Sequence, residues 1–352
     1  MIQTVTILGA GVMGSAMAMP FSDTGKTVRL VGTHLDEAII ENIRSIGTHP
    51  KLKVTMPKSI LVYGHQDFAK AVGDDTDIVL LGVSSAGVDW AIDKLVNALK
   101  KPVPVVMITK GMRPMADTMR ALPDYVAEQL KARLGFVVPV AAIGGPCIAG
   151  ELAARRPTGT VIVSHDMGLA TRLADAFACD YYFPQTSIDM MGVEICAAFK
   201  NFFAITVGWA IGRGTVMAEA ENKAGNNNAA SILFDQAIRE MMVLARALGG
   251  SAESVWGMPG AGDLYVTCQA GRNSRLGHAL GRGLNYADAM TGPLKGETVE
   301  GAELGLAVAK SVQAMVSATA LDGDRLPLTL TLIDTLKNNM PFDPPWQRFH
   351  RV

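Results

Sequence analysis

Six residues near the start of the chain, Gly9-Ala10-Gly11-Val12-Met13-Gly14, set the tightest limit on its fold. Residues 3–8 (Q-T-V-T-I-L) precede them, an apolar β-branched run that reads as a strand. S-A-M-A-M follows and suits a helix. G-x-G-x-x-G between a strand and a helix is the setting in which a chain cradles a dinucleotide. The first glycine allows the tight turn, the second lets backbone approach a pyrophosphate, and the third lets the helix pack on the strand. The free N–H groups and dipole of the helix start then favour the phosphates.

The strand–helix alternation continues. Residues 27–31, 77–83, 104–108, 137–143, 160–163 and 181–183 read as strands, and 88–99 as an amphipathic helix. Several strands are apolar throughout, as parallel strands covered on both faces are. From about Ser187 the β pattern stops, and 189–212, 227–248, 274–282, 300–318 and 327–339 read as helices. The 352 residues are too many for one ordinary core. The expected architecture is α/β: a doubly wound, Rossmann-type, mostly parallel sheet over 1–186 that binds a dinucleotide. An all-helical substrate-binding and catalytic domain follows over 187–352.

Composition narrows the functional classes. A formal net charge of -1 removes the electrostatic case for nucleic acid or an anionic membrane. No uncharged apolar run reaches roughly 18 residues, so no membrane insertion is expected. The apolar N-terminus lacks a basic leader, and its glycines belong to the motif above, so it does not read as a signal peptide. The four cysteines form no C-x-x-C pair and the six histidines no H-E-x-x-H spacing, so reduced thiols and no metal site are expected.

Residues 193–212 (V-E-I-C-A-A-F-K-N-F-F-A-I-T-V-G-W-A-I-G) are apolar nearly all round, which predicts a buried helix. Lys200 and Asn201 sit in its middle. A buried ammonium must pair, lie beside an opening or lose its proton, and such a lysine suits acid–base work. The plain alternative is a lysine whose stem packs while its head reaches water. Lys110, in T-K-G, follows the strand 104–108, at the edge where open parallel sheets bind ligands. The run 144–151 (G-G-P-C-I-A-G-E) offers small residues at another strand end. Cys147 there has no matched His or Asn and reads as a cleft-lining thiol rather than a nucleophile.

Residues 256–273 (W-G-M-P-G-A-G-D-L-Y-V-T-C-Q-A-G-R-N) form a glycine-dense turn opening a helix. Arg272 and Asn273 at that helix start suit an anion, Thr267 adds a hydroxyl, and Asp263 is a natural counter-charge for Lys200. After the second strand come Gly32-Thr33-His34, with no carboxylate until Asp36. A neutral strand end spares a 2′-phosphate repulsion and favours NADP over NAD. The alternative is that Asp36 or a backbone group holds the ribose.

Taken together, G-A-G-V-M-G (9–14), T-K-G (109–111), G-P-C-I-A-G-E-L-A (145–153), E-I-C-A-A-F-K-N (194–201), G-A-G-D-L-Y-V-T-C (260–268), G-R-N (271–273) and V-E-G (299–301) carry a resemblance. In this order and spacing the chain resembles the NAD(P)-dependent glycerol-3-phosphate dehydrogenases over nearly its whole length. The resemblance implies reversible reduction of dihydroxyacetone phosphate to sn-glycerol 3-phosphate for phospholipid synthesis, by a cytoplasmic homodimer acting on a small phosphorylated substrate. It puts Lys200, Lys110 and Asp263 in catalytic roles. It puts Gly9, Gly11, Val12, Met13, Gly14, Thr33, His34, Lys110, Ala149, Arg272, Val299 and Glu300 at the cofactor. Lys110, Gly145, Cys147, Lys200, Asn201, Asp263, Thr267, Gly271, Arg272 and Asn273 fall at the substrate.

Four departures from the family accompany these matches. Asp235-Gln236 stands where the family has an arginine ahead of E-M, Gly144 stands for a serine, Cys147 stands for a serine or threonine, and the loop 212–228 is long and polar. The first of them motivates an alternative, a related dehydrogenase for another phosphorylated ketose or polyol, or a hydroxy acid. A dinucleotide-sensing regulator is the non-enzymatic alternative.

Overall fold

The structure, a computed structural model, describes residues 2–220 and 224–349. Eight strands form its main sheet: β1 (Thr4–Leu8), β2 (Thr27–Val31), β3 (Leu61–Tyr63), β4 (Ile78–Leu81), β5 (Val105–Met107), β6 (Val140–Gly144), β7 (Thr158–Ser164) and β8 (Tyr182–Ser187). Their order is β8-β7-β6-β5-β4-β1-β2-β3. Every neighbouring pair is parallel except β6 with β7. The chain winds from β1 outward in one direction and then, from β4, in the other, so the order reverses beside β1. That reversal is where an open α/β sheet offers a ligand crevice. The doubly wound sheet and the helical second half are those the residue pattern predicts.

Helix α1 (Val12–Asp23) starts directly after the glycine turn, and α2 (Glu37–Ile46) follows β2. The β1, β4 and β5 residues are fully buried, because helices such as α1, Val88–Ala98 and Leu122–Leu134 cover apolar strands. Strand β3, α2 and the two-stranded pairing of Thr48–His49 with Val54–Thr55 have no counterpart in the sequence reading. The strands are short pieces whose alternation spans too few residues to register, whereas α2, with Ile39, Ile40 and Ile43 on its buried face, carries a helical pattern that the sequence reading left out.

The chain divides into two compact units, one of residues 1–110 and 122–190, the other of 111–121 and 191–352. A hairpin of Met112–Pro114 and Met119–Ala121 therefore groups with the second unit, although a boundary at 186/187 leaves it with the sheet. Its Met112 and Met119 are buried among the second unit's apolar residues, and Ser311 donates to the Met115 carbonyl at 2.6 Å.

The second unit is built round α3 (Met190–Ala220). By length and composition this helix is apolar enough to cross a membrane, yet 89% of its most apolar window is buried inside the protein. It also corrects the expected loop 212–228: the helix runs on to Ala220, and residues 221–223 lie outside those described. Around α3 stand α4 (Asn227–Ala247), α5 (Asp263–Gln269), α6 (Arg272–Gly281), α7 (Glu300–Ser317) and α8 (Pro327–Asn338).

The crossing of α3 with α6 is made backbone against backbone. A β-carbon on Gly277 would lie 2.1 Å from the Ile205 carbonyl oxygen, and one on Gly281 2.2 Å from that of Trp209. On the facing helix, β-carbons on Gly208 and Gly212 would lie 2.5 and 2.4 Å from the carbonyl oxygens of Ser274 and His278. Glycines four apart on each helix thus remove side chains from the contact, and the helices close to a distance no other residue allows. Helix α7 meets α3 in the same way: a β-carbon on Gly301 would come 2.3 Å from the Asn201 carbonyl oxygen.

Two effects compete when Gly277 becomes alanine. Helix propensity favours alanine by up to about 1 kcal/mol, whereas forcing atoms into packed backbone costs about 1–3 kcal/mol. Because the obstacle is backbone, the clash dominates. Urea unfolding is expected to show Gly277→Ala less stable than wild type by about 1–2 kcal/mol. Gly150→Ala, whose β-carbon meets nothing within 4 Å, is expected to be neutral or mildly stabilising.

Candidate active site

In the first unit the sequence-singled residues gather at the C-terminal ends of β1, β2, β5 and β6. Gly9 has φ +116°, and a β-carbon there would meet the Gly82 carbonyl oxygen at 2.5 Å. A β-carbon on Gly14 would meet the Gly9 carbonyl oxygen at 2.0 Å, so α1 sits directly on the turn. At Gly11 a β-carbon would project into open space. Gly11 caps α1, and the N–H groups of the first turn, Val12 and Met13 among them, have no partners within the helix. A turn that excludes side chains, open above Gly11 and ending on helix N–H groups, fits a pyrophosphate.

Asp36 bears on the ribose alternative. Its carboxylate is buried, and one oxygen accepts from Thr33 N–H at 2.8 Å, Thr33 Oγ1 at 2.8 Å and Ala10 N–H at 3.2 Å. It is turned into the protein, committed to three donors. Thr33 and His34 are left as the strand end, with exposed His34 edge-on to Trp90 at 5.6 Å between ring centroids.

Lys110 is half-buried beyond β5, flanked by Thr109, whose hydroxyl donates to the Val83 carbonyl at 2.8 Å, and by Gly111 at φ +148°. Gly145, at φ +111°, turns the chain out of β6. The Cys147 thiol donates to the Met13 sulfur at 3.9 Å, linking this turn to the glycine loop, and Ala149 opens the short helix behind it.

In the second unit, Lys200 lies mid-helix on α3, 6% exposed. Its ammonium donates to the Asp263 carboxylate and, at 3.0 Å, to Thr267 Oγ1. Asp263 opens α5 and is itself 1% exposed. Thr267, one turn later, sends its hydroxyl proton back to the Asp263 carbonyl at 2.6 Å. Its oxygen is thereby aimed at Lys200, and the spacing D-L-Y-V-T puts both partners on one face of α5. The snorkelling alternative does not hold: the side chain is 8% exposed, and its ammonium is bonded to Asp263 and Thr267. Cys268, next in line, has its thiol pushed up to about 12 by burial, with the Lys200 charge pulling the other way. It stays a neutral thiol.

The residue after Lys200 begins a second chain of contacts. Asn201 Oδ1 accepts from Asn273 Nδ2 at 3.0 Å, and Asn273 Oδ1 accepts from the Gly301 N–H at 2.9 Å. Asn201 Nδ2 donates to one Glu300 oxygen at 3.2 Å, while Arg272 stands 3.5 Å from the other. Arg272 and Glu300 are about half exposed, at 46% and 54% of their side-chain surface, so this is a screened ion pair worth about 0–1 kcal/mol. A phosphate dianion is a stronger partner for that guanidinium than Glu300 is. Gly271, at φ +116°, lets the chain turn sharply into α6, whose first N–H groups stand beside Arg272. Val299 is buried and leaves only its backbone for contact.

The Asp235-Gln236 departure has a structural account. Asp235 is exposed and pairs with Arg239 at 2.7 Å. Gln236 is buried and donates to Glu240 at 2.7 Å. Glu240 also accepts from Leu328 N–H, Thr329 N–H and Thr329 Oγ1, holding the start of α8. The glutamine completes a packing device between α4 and α8.

Comparison with known proteins follows the same lines. The family model described as the NAD-dependent glycerol-3-phosphate dehydrogenase N-terminus matches residues 4–170, and that described as its C-terminus matches 189–346. The chain is 34% identical over 289 residues to the NADP(+)-dependent glycerol-3-phosphate dehydrogenase of Archaeoglobus fulgidus, covering 81% of this chain and 82% of that one. It is 31% identical over 340 residues to the glycerol-3-phosphate dehydrogenase [NAD(P)+] of Geobacillus kaustophilus, covering 95% and 90%. Among solved structures, the glycerol-3-phosphate dehydrogenase of Coxiella burnetii superposes with a TM-score of 0.78 at 26% identity, covering 99% of this chain and 97% of that one.

Breaking a buried ion pair from one side leaves an uncompensated charge. Asp263→Leu is therefore expected to destabilise the protein by about 3 kcal/mol or more, with part recovered when Lys200→Met is added. Additive single effects in that cycle would contradict the pairing. Burial raises the Glu240 carboxyl from 4.5 to about 7, against bonds from Gln236, Thr329 and Leu328. An acid raised on folding favours the folded state fully below its unfolded value, and the benefit is lost as pH rises through the folded one. Between about pH 5 and about pH 8, wild-type stability is expected to fall relative to Glu240→Gln. A relative rise over that window would reverse the assignment.

Proposed function

The chain belongs to the NAD-dependent glycerol-3-phosphate dehydrogenase family, and from that premise we propose how its residues serve the reaction. The reaction is the NAD(P)-dependent interconversion of dihydroxyacetone phosphate and sn-glycerol 3-phosphate. When bound, the nicotinamide supplies or takes up the hydride. The protein's own part is to orient the ketone and to manage charge and proton.

As the ketone is reduced, negative charge grows on its oxygen. Lys200, as an ammonium, donates a proton there, and in the reverse direction its amine accepts one from the alcohol. The observation that carries this assignment is the pairing of Lys200 with Asp263 and Thr267 inside an apolar helix. Those two partners hold the ammonium in place before the reaction. Arg272 and the first turn of α6 hold the substrate's phosphate, and that binding energy aligns the carbonyl. Asn201 and Asn273 fix one another and the start of α7, so Glu300 and Arg272 keep their places. Lys110, at the end of β5, takes the cofactor- and substrate-contacting role that its T-K-G setting carries in the family.

We infer that NADP(H) is preferred. Asp36 supports this: its carboxylate is spent on Ala10 and Thr33, and the strand end is left neutral toward a 2′-phosphate. The Archaeoglobus fulgidus relative, named as NADP(+)-dependent, points the same way. A cytoplasmic homodimer is the assembly the family resemblance supports. The alternative substrates, and the sensing role, are not favoured. Gln236, which motivated the substrate alternative, is part of the α4–α8 packing, and the relatives are named as dehydrogenases of glycerol 3-phosphate.

Lys200→Ala is expected to lower kcat with dihydroxyacetone phosphate by about 100-fold or more, the range a general acid supplies. Turnover within about tenfold of wild type would remove Lys200 from the chemistry. Arg272→Ala is expected to act chiefly on the KM for dihydroxyacetone phosphate. In the same assay NADPH is expected to give the higher kcat/KM, and a clear advantage for NADH would overturn the Asp36 argument.

A further inference from the structure

His49 was not singled out by the sequence, and it belongs to no family motif quoted above. It is 0% exposed, in the short strand Thr48–His49 of the first unit. Its two ring nitrogens have distinct work. The N–H groups of Lys51 and Leu52 both point at Nδ1, at 3.2 and 3.1 Å. Nδ1 is therefore the bare acceptor, and the proton sits on Nε2. That Nε2–H donates to the carbonyl of Ala10 at 3.0 Å. Burial holds the imidazole below its usual range, so it stays neutral in this arrangement. Its bond to Ala10 and the Asp36 charge oppose that shift, and the Lys51 charge adds to it.

Ala10 is the residue between the first two glycines of the phosphate loop. Its N–H goes to Asp36 and its carbonyl to His49, with Ser15 Oγ adding a bond to the same carbonyl at 3.1 Å. Both glycine neighbours lack side chains to hold them, and a loop that must present N–H groups to a pyrophosphate gains from being fixed beforehand. Asp36 and His49 both come from the segment 33–49, beyond β2, which opens with the Thr33–Asp36 turn.

We propose that His49 is a positioning residue for the dinucleotide: with Asp36 it grips both polar groups of Ala10 and sets the phosphate loop in its binding shape. The inference rests on the glycine loop being the cofactor's phosphate cradle. Two substitutions separate this role from local support of the turn at 49–52. His49→Gln keeps a donor at the Nε2 position and loses the ring acceptor. His49→Asn keeps an acceptor at the Nδ1 position and cannot reach Ala10.

The test is NADPH affinity of the full-length protein by calorimetry, with kcat, KM and thermal unfolding measured on each variant. His49→Asn is expected to weaken NADPH binding about tenfold, the loss of one well-made hydrogen bond. Its KM for dihydroxyacetone phosphate and its kcat at saturating NADPH should stay near wild type. His49→Gln is expected to restore NADPH affinity to within about threefold, even where it lowers the melting temperature. The opposite pattern, with Asn binding normally and Gln not, would assign His49 to the turn alone and overturn the proposal. Should His49→Asn not fold, Asp36→Ala takes its place, with the same weakening expected and unchanged affinity overturning it. Wild type that binds no dinucleotide would instead bring down the cradle reading itself.

Discussion

An ammonium kept inside an apolar helix is the condition that the second unit is arranged to meet. Isolated, the Lys200 charge would cost several kcal/mol to bury. Asp263 and Thr267 offset that cost from one face of a single short helix. The glycine-dense turn ahead of α5 follows from this need. It brings the start of α5 close against its neighbours: a β-carbon on Gly260 would lie 2.0 Å from the Val255 carbonyl oxygen. The pair is poor as a stabilising device, which fits the proposed role of Lys200 as a held proton source.

The first unit solves a different problem, presenting bare backbone to an anion. Gly9 and Gly14 are required by close contacts with backbone, whereas Gly11 faces open space. The three glycines therefore differ in kind. Two are dictated by the fold, and one by what approaches the loop. Backbone without side chains is also backbone without anchors, and buried polar groups from outside the motif supply them. Asp36 reads in sequence as a carboxylate available to a ribose. In the structure one of its oxygens accepts from Ala10 and Thr33, so it also supports the loop.

Much of the fold could be read from residues, and the reasons for success and failure are local. Apolar runs such as 78–81 and 105–107 mark buried parallel strands plainly. The sequence reading ends this helix at Gly212, whereas α3 runs on to Ala220. In the structure Gly212 is there to let α6 approach, and tertiary packing overrides its weak propensity. Lys200, Asp263 and Arg272 were legible because a charge in an apolar or glycine-rich setting needs a reason. The pairing of Asn201 with Asn273, the Gln236–Glu240 device and the His49 contact were not. The Asn201–Asn273 and His49–Ala10 contacts join residues far apart in the chain, and the Gln236–Glu240 bond, though local, matters through the distant N–H groups of Leu328 and Thr329 that Glu240 holds; no local pattern marks any of them.

The glycine-to-glycine crossing of α3 and α6 has a consequence for selectivity. Lys200 rides on one helix and Arg272 begins the other, and both rods are already at the limit of approach. Their spacing is a fixed gauge, set by peptide groups in contact and unaffected by rotamer changes around it. On the proposed roles, in which the two residues hold opposite ends of one substrate, admitting a longer one calls for sliding one rod along the other, a change that trimming the surrounding side chains does not make.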